Sequence, residues 1–168
     1  GAEVLRLAER DLYDFAPVEK LGKVRTLTGW ARKHIDMILD LDLVDVEAIK
    51  KANLRVVVDA VNSVGGHVVP ALLSALGVLE VIEIHCTPDG HFPHNPEPLP
   101  EHLKDLCSTV VKHKAHLGIA IDPDVDRLAL VCEDGSLFGE EYTLVACADH
   151  VLATRPGDTV SNLSSTRA

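Results

Sequence analysis

At 168 residues, 46% hydrophobic and with mean hydropathy +0.13, the chain is long enough to bury one sizeable core and part of a second domain. A formal net charge of −10 argues against a nucleic-acid partner, because that binding rests on basic patches that release counterions. Charged residues break every apolar run well short of a bilayer-spanning length, which argues against a membrane-embedded protein.

Residues 1–29 read as a lead-in segment, with a short helix from Ala2 to Arg10 and a loop around Ala16 and Pro17. Trp30, Ile35, Ile38 and Leu41 fall at near-helical spacing behind Thr28 and Gly29, and Asp45 is placed to cap a short helix ending at Lys51. A valine-rich strand is predicted over Leu54 to Asp59, then a turn from Asn62 to Gly66. Val68, Val69, Leu72, Leu73 and Leu76 next mark an amphipathic helix closed by Gly77. A second strand follows over Val78 to His85, and a proline-containing loop covers Thr87 to Pro100. Leu103, Leu106, Val110 and Val111 mark another helix, and Leu117 to Ile121 a third strand.

The β-α-β-α-β order predicts parallel strands joined by right-handed crossovers. Only Asp122 to Arg127 separates the third strand from the fourth, Leu128 to Val131. So short a link cannot carry a parallel crossover, and the fourth strand is predicted antiparallel. After the turn Glu133-Asp134-Gly135-Ser136, a last helix is expected from Glu140 to Ala153, with apolar positions at Leu144, Val145, Ala148, Val151 and Leu152. The expected fold is a three-layer α/β/α domain on a four-stranded mixed sheet, three strands parallel and the fourth antiparallel. The chain opens on Gly1 rather than methionine, and a further strand is expected from Thr159 to Leu163. Both features suggest part of a longer protein.

The link itself, Asp122-Pro123-Asp124-Val125-Asp126-Arg127, carries the chemistry. In an extended turn, alternate residues point the same way, so the three carboxylates can converge. Held that close they repel unless a cation sits among them, and oxygen ligands suit a hard divalent ion, Mg²⁺ or Ca²⁺. Arg127 cannot bind the ion and is free to grip an anion such as phosphate. A solvated turn needs only one or two polar residues, fewer than stand here. Asp122, Asp124, Asp126 and Glu133 also fit positions one, three, five and twelve of an EF-hand. The sixth position, where that loop needs glycine, holds Arg127, and both flanks read as strands.

Other candidates are weaker. The Asn62 to Gly66 turn is neither a dinucleotide fingerprint nor a P-loop, and its glycines read as allowing a tight turn and close packing. His85, His91 and His94 with Cys86 match no zinc module, and the nearby prolines favour an ordinary packed loop. Cys86, Cys107, Cys132 and Cys147 have no pairing or metal-type spacing and read as reduced core thiols of a cytoplasmic protein. Ser164 and Ser165 lack a nucleophile elbow, so the chemistry would be completed by residues outside this chain.

The stretch Gly118 to Leu128 resembles the metal-binding loop of the α-D-phosphohexomutases, which include phosphoglucomutase, phosphomannomutase and phosphoglucosamine mutase. Val57-Val58-Asp59 with Gly65-Gly66, Leu76-Gly77, the loop Asp89 to Pro98, Asp134-Gly135 and Gly139-Glu140-Glu141 follow in the family's order. The resemblance implies that residues 30–155 are the metal-binding second domain and 156–168 the beginning of the third. It implies that Asp122, Asp124 and Asp126 bind Mg²⁺ together with a phosphoserine of the first domain, and that Arg127 is the catalytic arginine beside the transferring phosphoryl group. The reaction it implies is phosphoryl transfer between the 1 and 6 positions of a hexose phosphate, through a bisphosphorylated intermediate. The partners implied are that substrate and the remaining domains of the same protein. The family's Ser-His-Asn-Pro nucleophile loop and its sugar- and phosphate-binding loops are absent from this sequence, so this piece alone is expected to be inactive. A non-catalytic cation-binding or interaction domain is the alternative.

Overall fold

The computed structural model describes residues 1–160, apart from the Glu140 side chain. The described chain divides into two compact units, Gly1–Trp30 and the part from Ala31 onward. In the first, helix α1 (Ala2–Glu9) buries no residue and carries an Arg6–Glu3 ion pair at 2.5 Å. A single 3-10 turn follows at Val18–Lys20.

The second unit begins within α2 (Trp30–Leu39), whose first residue closes the first unit, and continues into α3 (Val46–Lys51). The Asp45 carboxylate accepts the Ala48 N–H at 2.9 Å, the cap expected from its position. The α2 stripe is only partly used: Ile35 is buried, whereas Trp30 and Leu41 stay exposed. Spacing defines a face but cannot say how much of it is buried.

The sheet is built from β1 (Arg55–Asp59), β2 (Glu80–Ile84), β3 (Leu117–Ile121) and β4 (Leu128–Cys132), in spatial order β2-β1-β3-β4. β1 is parallel to both β2 and β3, and β4 runs antiparallel to β3, as the six-residue link requires. The connections are α4 (Gly65–Ala75) between β1 and β2, and α5 (Lys104–His113) between β2 and β3. The first crossover steps to one side of β1 and the second steps back across it, so crossovers of one hand place the helices on opposite faces.

Alternation along β1 shows both faces in use. Val57 packs with Leu103, Leu106 and Val110 on the α5 side, together with Ala120 and Val131. Val56 and Val58 pack with Leu73 and Val69 on the α4 side. All three β1 valines are essentially inaccessible, the expected state of a strand covered twice. Helix α4 starts at Gly65, earlier than its apolar pattern suggests. A Cβ on Gly66 would come within 2.3 Å of the Cys86 carbonyl oxygen, so glycine lets the helix start press against the end of β2.

Helix α6 (Glu140–Leu152) contacts β4, but Leu144 and Val145 on its expected apolar face remain exposed. Cys147 on α6 is exposed too, which corrects the expectation of four core thiols. Cys86 is half-buried, and burial, reinforced by the negative charge of Glu83, pushes its thiol up to about 11. At pH 8, iodoacetamide is therefore expected to alkylate Cys147 well before Cys86, read by peptide mass spectrometry; equal rates would contradict the packing described. Since the fold raises this thiol from its ordinary 9.0 to about 11, the native state holds a proton that the unfolded chain gives up between those values. The stability contributed is present below pH 9 and lost as pH rises toward 11. The strand expected over 159–163 runs beyond residue 160, outside the described residues.

Candidate metal centre

The acidic loop leaves the carboxyl end of β3, the edge of an open α/β sheet where ligands bind. Asp122 ends the strand's burial, with side-chain accessibility of 4%, and its Oδ1 accepts the N–H groups of Asp126 and Arg127, both at 3.0 Å. Its carbonyl accepts the Val125 N–H at 3.2 Å. These bonds fold the loop back on itself and hold Val125 at φ +62°, an unfavourable conformation for a β-branched residue that costs about 1–3 kcal/mol. The expected extended zigzag is thus replaced by a tight turn, yet the convergence stands. One carboxylate oxygen from each of Asp122, Asp124 and Asp126 lies within 4.8 Å of the others.

Crowding divides the titration of this cluster. Burial alone would push the Asp122 carboxyl up, but the Arg127 amide and hydrogen bonds with Asp126 and Asp124 outweigh it, so it lies below the usual carboxylate range. Asp126 is pushed up, first by the hydrogen bond it shares with Asp122 and then by the charges of Asp124 and Asp122. Such a split marks a concentration of negative charge that favours a cation.

Arg127 lies alongside. Its Nε is 3.6 Å from Asp122 Oδ2 and 3.6 Å from Asp126 Oδ1, while Nη1 forms a tight ion pair with Glu97 Oε2. Glu97 comes from the loop between β2 and α5, thirty residues earlier, and sequence reading missed it. A cavity of about 730 Å³ opens beside this pair, bounded by Glu97, Asp126, Arg127, Leu130 and Thr143. The side-chain oxygen of Thr143 is buried without a hydrogen-bond partner among the described residues.

Sequence reading also missed a second cluster at the same sheet edge. Asp59, at the end of β1, is 1% exposed, and its Oδ2 lies 3.1 Å from both His85 Nδ1 and His94 Nε2. His91 and Cys86, grouped with these histidines by sequence proximity, do not join them: His91 is exposed, and Cys86 Sγ faces the carbonyls of Val58 and Ile84. The available signal was register. Asp59 pairs with Ile84, so His85 follows directly beside it.

Together, sheet order and loop define an α/β/α domain that gathers carboxylates at the carboxyl edge of its sheet. Residues 32–135 match the family described as phosphoglucomutase/phosphomannomutase, alpha/beta/alpha domain II. The chain belongs to that family, within the α-D-phosphohexomutase superfamily, as the resemblance of its loop implied. It is 40% identical over 165 residues to a Methanopyrus kandleri protein named "Probable phosphoglucosamine mutase", covering 97% of this chain and 35% of the relative. It is 34% identical over 170 residues to a Neisseria gonorrhoeae phosphoglucomutase, covering 98% and 34%. Among solved structures, a phosphoglucomutase/phosphomannomutase family protein from Burkholderia thailandensis superposes with TM-score 0.63 at 35% identity, covering 76% of this chain and 27% of that one. The chain spans about a third of the length of the curated relatives it matches.

Proposed function

We propose that this chain supplies the metal-binding domain of a cytoplasmic phosphohexomutase, which moves a phosphoryl group between the 1 and 6 positions of a hexose phosphate. The transfer runs through a phosphoserine elsewhere in the parent protein and a bisphosphorylated sugar. The observation that supports this most is the convergence of Asp122, Asp124 and Asp126 beside Arg127, in a chain belonging to this family. Residues 1–29 would lead in from the preceding domain, 30–155 form this one, and 156–168 begin the next.

The donor set fits a hard divalent ion, because it offers anionic oxygens alone and its carboxyls already compete for a proton. Asp122, Asp124 and Asp126 would hold Mg²⁺, which when bound supplies positive charge to the oxygens of the transferring phosphoryl group. Arg127 contributes a second, permanent positive charge, and Glu97 fixes the direction of its guanidinium. The Asp122 turn acts one step earlier: by accepting the Asp126 and Arg127 amides, it sets where both side chains leave the backbone.

The test is metal removal from the parent enzyme. Chelation is expected to abolish conversion of a hexose 1-phosphate to its 6-phosphate, and added Mg²⁺ to restore it. The purified 168-residue chain is expected to show no turnover. Activity untouched by exhaustive chelation would overturn the metal role, and turnover by this chain alone would overturn the division of labour.

A further inference from the structure

We propose that Asp59, His85 and His94 form a second cation site, distinct from the Asp122 cluster, that takes a borderline divalent ion such as Zn²⁺ and pins the loop between β2 and α5. The first observation is how the His94 ring is oriented. His94 Nδ1 lies 2.8 Å from the Asn95 carbonyl oxygen, which can only accept, so that nitrogen carries the proton. That hydrogen bond turns the other ring nitrogen, Nε2, toward a carboxylate oxygen of Asp59 at 3.1 Å. Nε2 is thus the ring nitrogen left to meet a ligand, and it stands beside a carboxylate that is only 1% exposed.

His85 repeats the pattern. Its Nδ1 also meets Asp59 Oδ2 at 3.1 Å, and its Nε2 is turned toward Asp105 Oδ2 at 4.0 Å. A histidine that points one nitrogen into a shared centre and the other at a carbonyl or carboxylate has the outer-shell arrangement of a metal ligand. The other oxygen of Asp59, Oδ1, accepts the Val61 N–H at 3.0 Å, which fixes the carboxylate's orientation.

Spacing and chemistry agree. The three ligand atoms lie within 4.8 Å of one another, and the two histidine contacts are 3.1 Å. Ligands about 2.0–2.2 Å from tetrahedral Zn²⁺ stand about 3.3–3.5 Å apart, so modest opening of the cluster admits the ion. Two imidazoles and one carboxylate select Zn²⁺ over Mg²⁺, which prefers oxygen alone. His85 and His94 are 23% and 18% exposed, enough to give an ion access.

The consequence concerns the loop. Asp59 belongs to β1, His85 directly follows β2, and His94 lies in the intervening loop three residues before Glu97. Fixing His94 therefore fixes the segment whose Glu97 holds Arg127.

Titrating the 168-residue chain with Zn²⁺ alone by calorimetry, and with Co²⁺ alone by visible absorption, tests the proposal. One equivalent is expected to bind, weakened by His94→Gln or His85→Gln at least as much as the about 10–100-fold that loss of an outer-shell partner costs, and unchanged by Asp124→Asn. In ¹⁵N spectra, Zn²⁺ is expected to shift His94 Nε2 and His85 Nδ1 while His94 Nδ1 keeps its proton. If one variant fails to fold by circular dichroism, the other variant and the wild-type spectra decide. The proposal is overturned if the wild-type chain binds no stoichiometric Zn²⁺, if both histidine variants bind it equally well, if Asp124→Asn removes it, or if both rings remain imidazolium at saturating Zn²⁺.

Discussion

Asp124→Asn in the parent enzyme is expected to lower phosphoryl transfer by roughly 10²-fold or more while leaving the thermal stability of this domain within about 0.5 kcal/mol of wild type. Asp124 separates chemistry from folding better than its neighbours. Asp122 is buried and accepts two backbone amides, so changing it would disturb the turn as well as the charge. Asp126 shares a hydrogen bond with Asp122 and lies 3.6 Å from Arg127 Nε, so its loss would also remove one of the arginine's charge contacts. Asp124 is exposed and shares a side-chain hydrogen bond with Asp122 that helps hold the Asp122 carboxyl low. Asparagine keeps the shape and one oxygen but removes the negative charge, and hard cations are held chiefly by charge. Steady-state kinetics across a Mg²⁺ titration would check this. A lower rate partly recovered at high Mg²⁺ is the expected result, and an unchanged rate at limiting Mg²⁺ would remove Asp124 from the metal set.

Leu106→Ala is expected to destabilise the domain by about 2–5 kcal/mol, against a total of roughly 5–15 kcal/mol for a domain of this kind. Leu106 is wholly inaccessible and sits in the cluster formed by Val57, Leu103, Val110, Ala120 and Val131, where α5 lies on the sheet. The neighbours cannot easily fill the space left. Beneath the helix, a Cβ on Gly118 would lie 3.2 Å from Leu106 Cδ1 and 2.8 Å from Val110 Cγ2, which shows how closely α5 already rests on β3. Urea denaturation would measure the loss as a lower midpoint with an unchanged slope. A change below about 1 kcal/mol would mean that this contact is not part of the rigid core.

The two predictions probe parts of the molecule that differed in how legible they were. The core was readable because its signals are periodic: β1 centres on a run of three valines, α5 repeats apolar residues one turn apart, and the strand directions follow from which links can hold a helix. Reading failed where periodicity did not decide contact. Helix α2 buries Ile35 but leaves Trp30 exposed, and α6 leaves Leu144, Val145 and Cys147 exposed. An apolar stripe records a preference for burial, and the surrounding elements determine whether burial occurs.

The sequence alone placed three carboxylates and an arginine in one short link between two strands, Asp122 to Arg127, while the hydrogen bonds of the Asp122 turn brought them together. It also determined the antiparallel fourth strand, because so short a link cannot carry a parallel crossover. Tertiary structure alone decided what surrounds the loop. Glu97 reaches Arg127 from thirty residues away, and His94 reaches Asp59 across thirty-five. Those meetings depend on the register that sets Asp59 beside Ile84 on one side and Ala120 on the other. Register arises from packing two sheet faces at once, and no local run of residues encodes it.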